Sequence, residues 1–215
     1  MHKVFDNMNN KKKPFLILLG AGGHAKSCID VIEQSKSHRI FGLIVNKRKS
    51  SLKIFGYPII GTDKALKKLS NKNLNALVCV GQIKTPKIRM NLYRKAIEAG
   101  FRLPVIISPH SYVSPHAKID KGTIIMHGAI INAGSVIGKN CIINSNALIE
   151  HDVVVGDHCH VSTAAVLNGG VILGNGSFVG SGTVVKEGVK IGYNCIVATN
   201  NSLFANLKDN KIHKS

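Results

Sequence analysis

A strict six-residue repeat runs through the second half of the chain. Its sixteen positions are all aliphatic: Val113, Ile119, Ile125, Ile131, Ile137, Ile143, Ile149, Val155, Val161, Leu167, Leu173, Val179, Val185, Ile191, Val197 and Leu203. An α-helix has 3.6 residues per turn and an amphipathic strand has a period of two, so neither produces this pattern. The repeat predicts a solenoid, in which three repeats form one triangular coil of 18 residues and each coil buries its aliphatic side chains against its neighbours.

A second column of small residues supports this register. The fourth residue after the aliphatic position is small in nearly every repeat, as at Ala129 and Ala165. Glycine directly follows the aliphatic residue in five repeats, where we expect a backbone conformation that other residues avoid; these glycines are Gly138, Gly156, Gly174, Gly180 and Gly192. The combined pattern resembles the left-handed parallel β-helix of hexapeptide-repeat acyltransferases, an exception to the right-handed crossover rule.

The first half of the chain follows a different pattern. A buried strand over 14–19, a glycine loop over 20–23 and a helix over 24–34 form a β-loop-α unit, and further strands (41–45, 76–80, 105–107) alternate with helices (62–69, 86–99). This alternation predicts a Rossmann-like α/β domain with a parallel sheet. We therefore expect a basic disordered tail (1–13), an α/β domain (14–108), an all-β left-handed β-helix (109–203) and a polar C-terminal tail (204–215).

The glycine loop fits the GxGxxA form of the dinucleotide fingerprint. Backbone N–H groups at the start of the following helix can hold a phosphate or a sugar hydroxyl. An NAD site also needs an acid at the end of the next strand, and the segment 44–47 (IVNK) has none. Two interpretations remain: a nucleotide-sugar pocket, or glycines that only permit a sharp strand-to-helix turn.

Composition narrows the classes of partner and the cellular location. Lysine and arginine outnumber the acids 29 to 11, which gives a formal charge of +18. The basic residues cluster mostly outside the repeat, with few aromatic residues for base stacking, so we expect no nucleic-acid partner. The five cysteines lack metal-type spacing and predict reduced, buried thiols. No apolar run is long enough to span a bilayer, which predicts a cytoplasmic protein.

The residues that break the usual repeat chemistry are histidines. Acyl transfer from a thioester needs a base to take a proton from an amine or hydroxyl, and imidazole suits that task near neutral pH. His151 stands between Glu150 and Asp152. Strand neighbours face opposite ways, so only one acid reaches the ring, and we expect this to be Asp152 because it lies nearer the coil corner. The 18-residue register stacks His151 between Ala133 and Gly169, which leaves a groove. His160 points outward, opposite to Cys159, and is predicted to meet a ligand or a neighbouring subunit.

Three segments together carry a more specific resemblance. The stretches 18–26 (LLGAGGHAK), 144–152 (NSNALIEHD) and 156–162 (GDHCHVS) resemble the sugar acetyltransferases of the NeuD and PglD type. The resemblance implies an N-terminal domain that binds a nucleotide sugar and a homotrimer that binds acetyl-CoA between adjacent β-helices. It implies that His151 is the general base and that Asp152 tunes it. The implied acetyl-CoA contacts are His160, Gly169, Ser181 and Thr199, and the implied substrate contacts are Gly22, Gly23, His24, Asn46, Gly81, Gln82 and Asn144.

The chain departs from the family pattern at two places. Members that use UDP-sugars have acids after the second strand, where this chain has Val45 and Asn46. The family also ends in further repeats and a Gly-x-Pro-Ala segment that helps to cover the CoA, whereas this chain continues after Ser202 into a polar, lysine-bearing segment.

The leading hypothesis is acetyl-CoA-dependent N-acetylation of a nucleotide-linked amino sugar, of the UDP-4-amino-sugar type, in surface glycan biosynthesis, with no metal. O-acetylation of a sialic or related nonulosonic acid is the nearest alternative, because the same base serves a hydroxyl. Two other classes remain. One is a zinc hydrolase of the carbonic anhydrase type with His151, His158 and His160 as ligands. The other is a non-catalytic trimeric binding protein.

Overall fold

The computed structural model describes residues 13–46, 53–70 and 74–214. The predicted basic tail lies outside the described residues except for Lys13. No helix within the described ranges is both long enough and apolar enough to cross a bilayer.

The first domain is a parallel sheet between two layers of helix. The sheet order is β3-β4-β2-β1-β5, and only the edge strand β3 is antiparallel to its neighbour. The elements are Phe15–Leu19 (β1), Gly23–Ser35 (α1), Arg39–Val45 (β2), Lys53–Ile54 (β3), Tyr57–Thr62 (β4), a 3₁₀ turn at Asp63–Ala65, Leu66–Ser70 (α2), Asn75–Val78 (β5) and Lys87–Glu98 (α3). The α/β class is confirmed, and β3 and β4 were not predicted.

Alternate side chains of β1 fill two separate cores. Leu16 and Leu18 pack with α1, and Ile17 and Leu19 pack with the layer that contains α3. All four side chains are completely buried, as expected of a parallel strand that is covered on both faces. The carboxyl end of β1 leads directly into the glycine loop that precedes α1.

The second domain is the left-handed parallel β-helix that the repeat predicts. Each repeat supplies one two-residue strand: Ile106–Ile107 (β6), Tyr112–Val113 (β7), Lys118–Ile119 (β8), Ile124–Ile125 (β9), Ile130–Ile131 (β10), Val136–Ile137 (β11), Ile142–Ile143 (β12), Leu148–Ile149 (β13), Val154–Val155 (β14), His160–Val161 (β15), Val166–Leu167 (β16), Ile172–Leu173 (β17), Phe178–Val179 (β18), Val184–Val185 (β19), Lys190–Ile191 (β20), Ile196–Val197 (β21), Ser202–Leu203 (β22) and Ile212–His213 (β23). The aliphatic and small columns form one continuous core.

The strands form three faces of a triangular prism. Face 1 contains β7, β10, β13, β16, β19 and β22; face 2 contains β8, β11, β14, β17 and β20; face 3 contains β6, β9, β12, β15, β18, β21 and β23. The 1–2 corner includes residues 150–153, 168–171 and 186–189, the 2–3 corner 156–159 and 174–177, and the 3–1 corner 162–165, 180–183 and 198–201. The β-helix begins at Ile106, so the predicted boundary after 108 and the assignment of 105–107 to the α/β sheet are corrected. The parallel pairing of β6 with β9 is the reason.

Left-handed backbone occurs at the third residue after the aliphatic position in every repeat from Ile119 to Val197. Asn140 (φ 53°), Asp152 (φ 58°) and Gly170 (φ 66°) are examples of this column, which Gly, Asn and Asp occupy at lowest cost. The glycines directly after the aliphatic residue have a different role from the one predicted. An added Cβ at Gly138 would lie 2.8 Å from the backbone nitrogen of Asp157 in the next coil, so close approach, not a positive φ, requires glycine there.

The segment predicted as a polar tail forms part of the last coil. Leu207 bridges Ile191, and β23 pairs in parallel with β21 in a register that joins Val197 to His213. Both spacings are 16 residues (207 − 191 and 213 − 197) instead of 18. The chain has lost two residues between Leu203 and Leu207, which ends the six-residue repeat in the sequence while the coil continues.

The first domain covers face 3. The outward side chains of that face, Ile124, Ile142, His160 and Phe178, are at most 6% exposed, and the first two share a core with α1. The corresponding side chains on faces 1 and 2 stay open, with Ile130 40% and Val154 40% exposed. The first domain and the 1–2 corner therefore lie on opposite sides of the prism.

A buried arginine fixes this docking. Arg89 is 1% exposed and donates to the carbonyls of Val78 (3.2 Å) and Val80 (2.6 Å). Its other terminal nitrogen donates to the carbonyl and the side-chain oxygen of Asn140, both at 2.9 Å. Burial lowers the pKa of Arg89 to about 10, so the guanidinium remains charged at neutral pH. It ties the end of β5 to the 2–3 corner.

Candidate active site

His151 and Asp152 form a pair at the 1–2 corner. His151 Nδ1 lies 3.0 Å from Asp152 Oδ2, and the two side chains are 67% and 72% exposed. The left-handed φ of Asp152 (58°) turns its side chain back to the preceding residue. The carboxylate accepts the Nδ1 proton, which leaves the Nε2 lone pair free to take a proton. Glu150 faces elsewhere and accepts from Asn132 Nδ2 at 2.9 Å.

The stacking predicted for His151 is present. Asp152 N donates to the carbonyl of Ala133 in the coil below (3.1 Å), and Gly170 N in the coil above donates to the carbonyl of His151 (3.0 Å). A Cβ added at Gly169 would lie 2.7 Å from both Cε1 and Nε2 of the His151 ring. Glycine at this position is therefore what leaves room for the imidazole and access to its free nitrogen.

A groove of about 550 Å³ runs along this corner. Its lining residues are Glu150, His151, Asn168, Gly169, Glu187 and Gly188. Glu187 was not predicted, although it follows His151 by two complete coils (187 − 151 = 36 = 2 × 18) and the repeat could have identified it. The lining contains carboxylates and no lysine or arginine, which is unusual in a chain with a net charge of +18.

His160 lies between the two domains. It is 6% exposed, its Nδ1 donates to the backbone carbonyl of Gln82 (2.6 Å), and its Nε2 accepts from Asn144 Nδ2 (3.2 Å). Burial lowers the pKa of His160 to about 3, so the ring is neutral. His160 points outward, as predicted, and the first domain covers it. Its contact with acetyl-CoA stays a prediction. Asn144 meets His160 and not His151.

The predicted substrate residues surround the carboxyl ends of β1, β2 and β5. Gly22 is the N-cap of α1, and an added Cβ at Gly22 or Gly23 would meet nothing within 4 Å. His24 follows in the first turn, where its Cβ lies 3.7 Å from the Cβ position of Gly81. Gln82 is 2% exposed and donates to the carbonyl of Gly176 (3.1 Å), and its contact with substrate stays a prediction. This hydrogen bond joins the loop after β5 to the β-helix.

A cavity of about 490 Å³ lies beside these strand ends. Its lining includes Gly20 and Asn46 from the strand ends, and Lys87 and Lys95 from α3. Asp63 also lines it and forms an ion pair with Lys95 (2.8 Å). Polar and cationic groups at the carboxyl edge of a parallel sheet are typical of a site for a phosphate-bearing ligand.

The predicted acetyl-CoA residues lie on two different corners. Gly169 is at the 1–2 corner beside His151, whereas Ser181 and Thr199 are at the 3–1 corner. Ser181 shares a hydrogen bond with Ser162 (2.9 Å), and Thr199 is exposed. One chain does not bring these residues together.

The three histidines of the zinc alternative diverge. His151 is at the 1–2 corner, His158 at the 2–3 corner and His160 on face 3. His158 Nδ1 lies 2.8 Å from Asn140 Nδ2, and its ring packs edge-on against Tyr93. The described ranges contain no group of three or more side chains placed to hold a metal ion. These histidines therefore do not form a common ligand set within the chain.

Comparisons with known proteins agree with this arrangement. The family model for the PglD N-terminal domain matches residues 15–96, and that for the bacterial transferase hexapeptide (six repeats) matches residues 134–169. A comparison with the curated proteins gives no match.

Three solved structures are similar over nearly the whole chain. A histidine-to-asparagine variant of perosamine N-acetyltransferase from Caulobacter crescentus, in complex with CoA and GDP-perosamine, is 33% identical (92% of this chain, 91% of that chain, TM-score 0.85). The acetyltransferase domain of PglB from Neisseria gonorrhoeae, in complex with acetyl coenzyme A, is 28% identical (93% and 95%, TM-score 0.85). WeeI from Acinetobacter baumannii, at 18% identity (91% and 93%, TM-score 0.81), shares the fold.

The fold, the corner histidine and these similarities define a hexapeptide-repeat acyltransferase. Within that class, the chain belongs to the sugar acetyltransferases of the NeuD and PglD type, enzymes that transfer the acetyl group of acetyl-CoA to a sugar.

Proposed function

We propose that this protein acetylates the amino group of a nucleotide-linked amino sugar with acetyl-CoA, and that His151 is the general base. The observation that carries this proposal is the His151–Asp152 pair beneath Gly169, open to the groove. As the amine attacks the thioester carbonyl, Nε2 of His151 takes the amine proton and the Asp152 carboxylate stabilises the imidazolium. Backbone N–H groups of the coil stabilise the developing oxyanion. When the intermediate collapses, the C–S bond breaks and the His151 imidazolium returns the proton to the sulfur, so that CoA leaves as the free thiol.

The charge of the groove favours an amine over the sialic acid alternative. Glu150, Asp152 and Glu187 gather three of the chain's 11 acids at this corner. An amino sugar is largely an ammonium ion near neutral pH and is attracted to such a groove, whereas a sialic acid carries a carboxylate and is repelled. N-acetylation is therefore the reaction that the electrostatics support.

The nucleotide is assigned to the cavity beside the strand ends. Lys87 and Lys95 supply positive charge for a diphosphate, and Asn46 offers an amide to the nucleoside. The UDP type implied by the family has acids at the position of Val45 and Asn46. The relative that is 33% identical has GDP-perosamine bound, so we propose a GDP-linked amino sugar ahead of a UDP-linked one.

The catalytic assembly is proposed to contain three copies with each site shared by two. The first domain of one chain covers face 3, opposite the 1–2 corner, so the β-helix lies between its nucleotide cavity and its own His151. Faces 1 and 2 both keep open apolar columns, such as Ile130 and Val184 on face 1 and Val136 and Ile172 on face 2. Two different patches that pair head to tail form a ring when the rotation between copies closes, and the triangular cross-section of the prism suits a ring of three.

The substrate assignment is tested with a panel of acceptors. Purified protein is incubated with acetyl-CoA and GDP-, UDP- and CMP-linked amino sugars, their hydroxyl analogues and a free sialic acid, and thiol release is followed. We expect release with a nucleotide-linked amine at neutral pH. Release only with the sialic acid would replace the proposed acceptor by the alternative, and no release with any acceptor would favour a binding protein.

The shared site is tested by mixing two inactive variants. His151→Ala removes the base, and Asn46→Trp fills the nucleotide cavity. If each site takes its base and its cavity from different chains, random mixed trimers regain about a quarter of the wild-type activity, because half of the chains supply each part. If both parts come from one chain, the mixture stays inactive.

A further inference from the structure

Phe204 is the most exposed of the large apolar side chains in the described part of the chain. It is 73% exposed, more than Ile83 (65%) or Phe55 (62%). It directly follows β22, at the point where the last coil loses two residues. An exposed aromatic ring of this kind presents an open face on which a base can stack.

The strand register places Phe204 at the same corner as His151. Lys186 N donates to the carbonyl of Leu203 (2.9 Å), so Phe204 lies one coil above Lys186. Steps of 18 residues continue downward through Asn168 to Glu150, both of which line the groove. Phe204 therefore lies at the upper end of the groove, three coils above the level of His151.

The shortened coil opens the path between them. Three residues separate Leu203 from Leu207, where the six-residue repeat has five. Gly188 lies beneath this shortened corner, and a Cβ added there would meet nothing within 4 Å. Gly188 also lines the groove, so this position places no side chain between the groove and the level of Phe204.

We propose that Phe204 is a stacking platform for the adenine ring of the acyl donor, with the pantetheine arm along the 1–2 corner. This inference rests on the proposed use of acetyl-CoA. Three coils at about 4.8 Å each span ~14 Å, a length that suits an arm with two amide groups between its thiol and its diphosphate. Lys186, directly below Phe204, supplies a cation for the phosphates. The platform replaces the C-terminal segment with which the family usually covers CoA.

A truncated donor separates stacking from chemistry. Loss of one base–aromatic stack weakens binding by about 10- to 100-fold. Phe204→Ala should lower kcat/KM for acetyl-CoA by that factor and leave kcat/KM for S-acetylpantetheine, which lacks the adenosine, unchanged. Phe55→Ala removes another exposed phenylalanine (62% exposed), on the first domain. It is the matched control and should change neither value.

A spectroscopic test reports stacking without catalysis. The chain contains four tyrosines and no tryptophan, so Phe204→Trp introduces a single tryptophan that still stacks and that can be excited selectively. CoA should quench its emission saturably, and pantetheine should not.

Equal losses of kcat/KM for both donors in Phe204→Ala, or no loss for acetyl-CoA, would overturn the inference. So would emission from Phe204→Trp that is indifferent to CoA while calorimetry shows that the wild type binds CoA. Absence of CoA binding by the wild type would instead refute the proposed function itself.

Discussion

The contact between Gly169 and His151 offers the most sensitive perturbation of the proposed site. In Gly169→Ala the new Cβ would stand 2.7 Å from Cε1 and Nε2 of His151. Ordinary carbon contacts lie at about 3.5–4.0 Å, so the ring must retreat by about 1 Å. A misplacement of that size costs about 100-fold in rate, or ~2.7 kcal/mol in the activation free energy. The same shift disturbs the 3.0 Å hydrogen bond to Asp152.

Stability should hardly change in this variant. The His151 side chain is 67% exposed and can move into solvent, so we expect the free energy of unfolding to stay within about 0.5 kcal/mol of the wild type. The assay is kcat/KM from thiol release, with a urea titration on the same protein.

Gly170→Ala is the matched control, in which stability should fall and activity should be retained. Its Cβ would meet nothing within 4 Å, but its φ is +66°. It should lose about 1–2 kcal/mol of stability and keep its activity within about 3-fold. A fully folded Gly169→Ala with near wild-type kcat/KM would refute the reasoning that His151 works in this position.

Two further predictions concern the neighbouring groups. Asp152→Asn should keep the left-handed backbone at the corner, because Asn140 and Asn146 have the same conformation at equivalent positions. The variant loses the charge that supports the imidazolium, so kcat should fall about 10- to 100-fold with unchanged stability. An unchanged kcat would exclude a supporting role for Asp152. Burial lowers the pKa of His160 to about 3, so as pH falls the unfolded chain takes up this proton before the folded chain does. The free energy of unfolding should therefore fall by up to about 1.4 kcal/mol per pH unit below about pH 6.5. Urea titrations between pH 7 and pH 5 should show this loss in the wild type and a smaller one in His160→Gln, and equal losses would contradict the neutral, buried histidine.

The sequence predicted the β-helix core well because its period is fixed by geometry. Stacked coils need an inward aliphatic residue every six positions, so the register also located Gly169 above His151. The choice of Asp152 over Glu150 followed from the same register, because Asp152 lies further from the inward residue Ile149 and its left-handed backbone turns its side chain back to the ring. The positions of the residues that line the groove were therefore predictable wherever they depended on the repeat.

Two kinds of feature could not be predicted from the sequence: contacts between the first domain and the β-helix, and the last coil, where the six-residue repeat is interrupted. His160 and Gln82 are buried because the first domain lies on face 3. They contact each other although they are 78 residues apart in the chain, and no local sequence pattern predicts such a contact. The last coil was not predicted because it is two residues shorter than the others, so Leu207 does not fall on a six-residue position. Strand β4 contains Pro58 and Gly61, which argue against a strand in a single sequence.

The most direct test of the account is the replacement of His151 by alanine. We expect His151→Ala to lose about 10²- to 10⁴-fold in kcat for acetyl transfer to the amino sugar, with the wild-type unfolding transition and CoA affinity retained. His116→Ala, an exposed histidine on the same β-helix, should remain fully active. Turnover by His151→Ala at the wild-type rate would contradict the assignment of the base and, with it, the proposed active site.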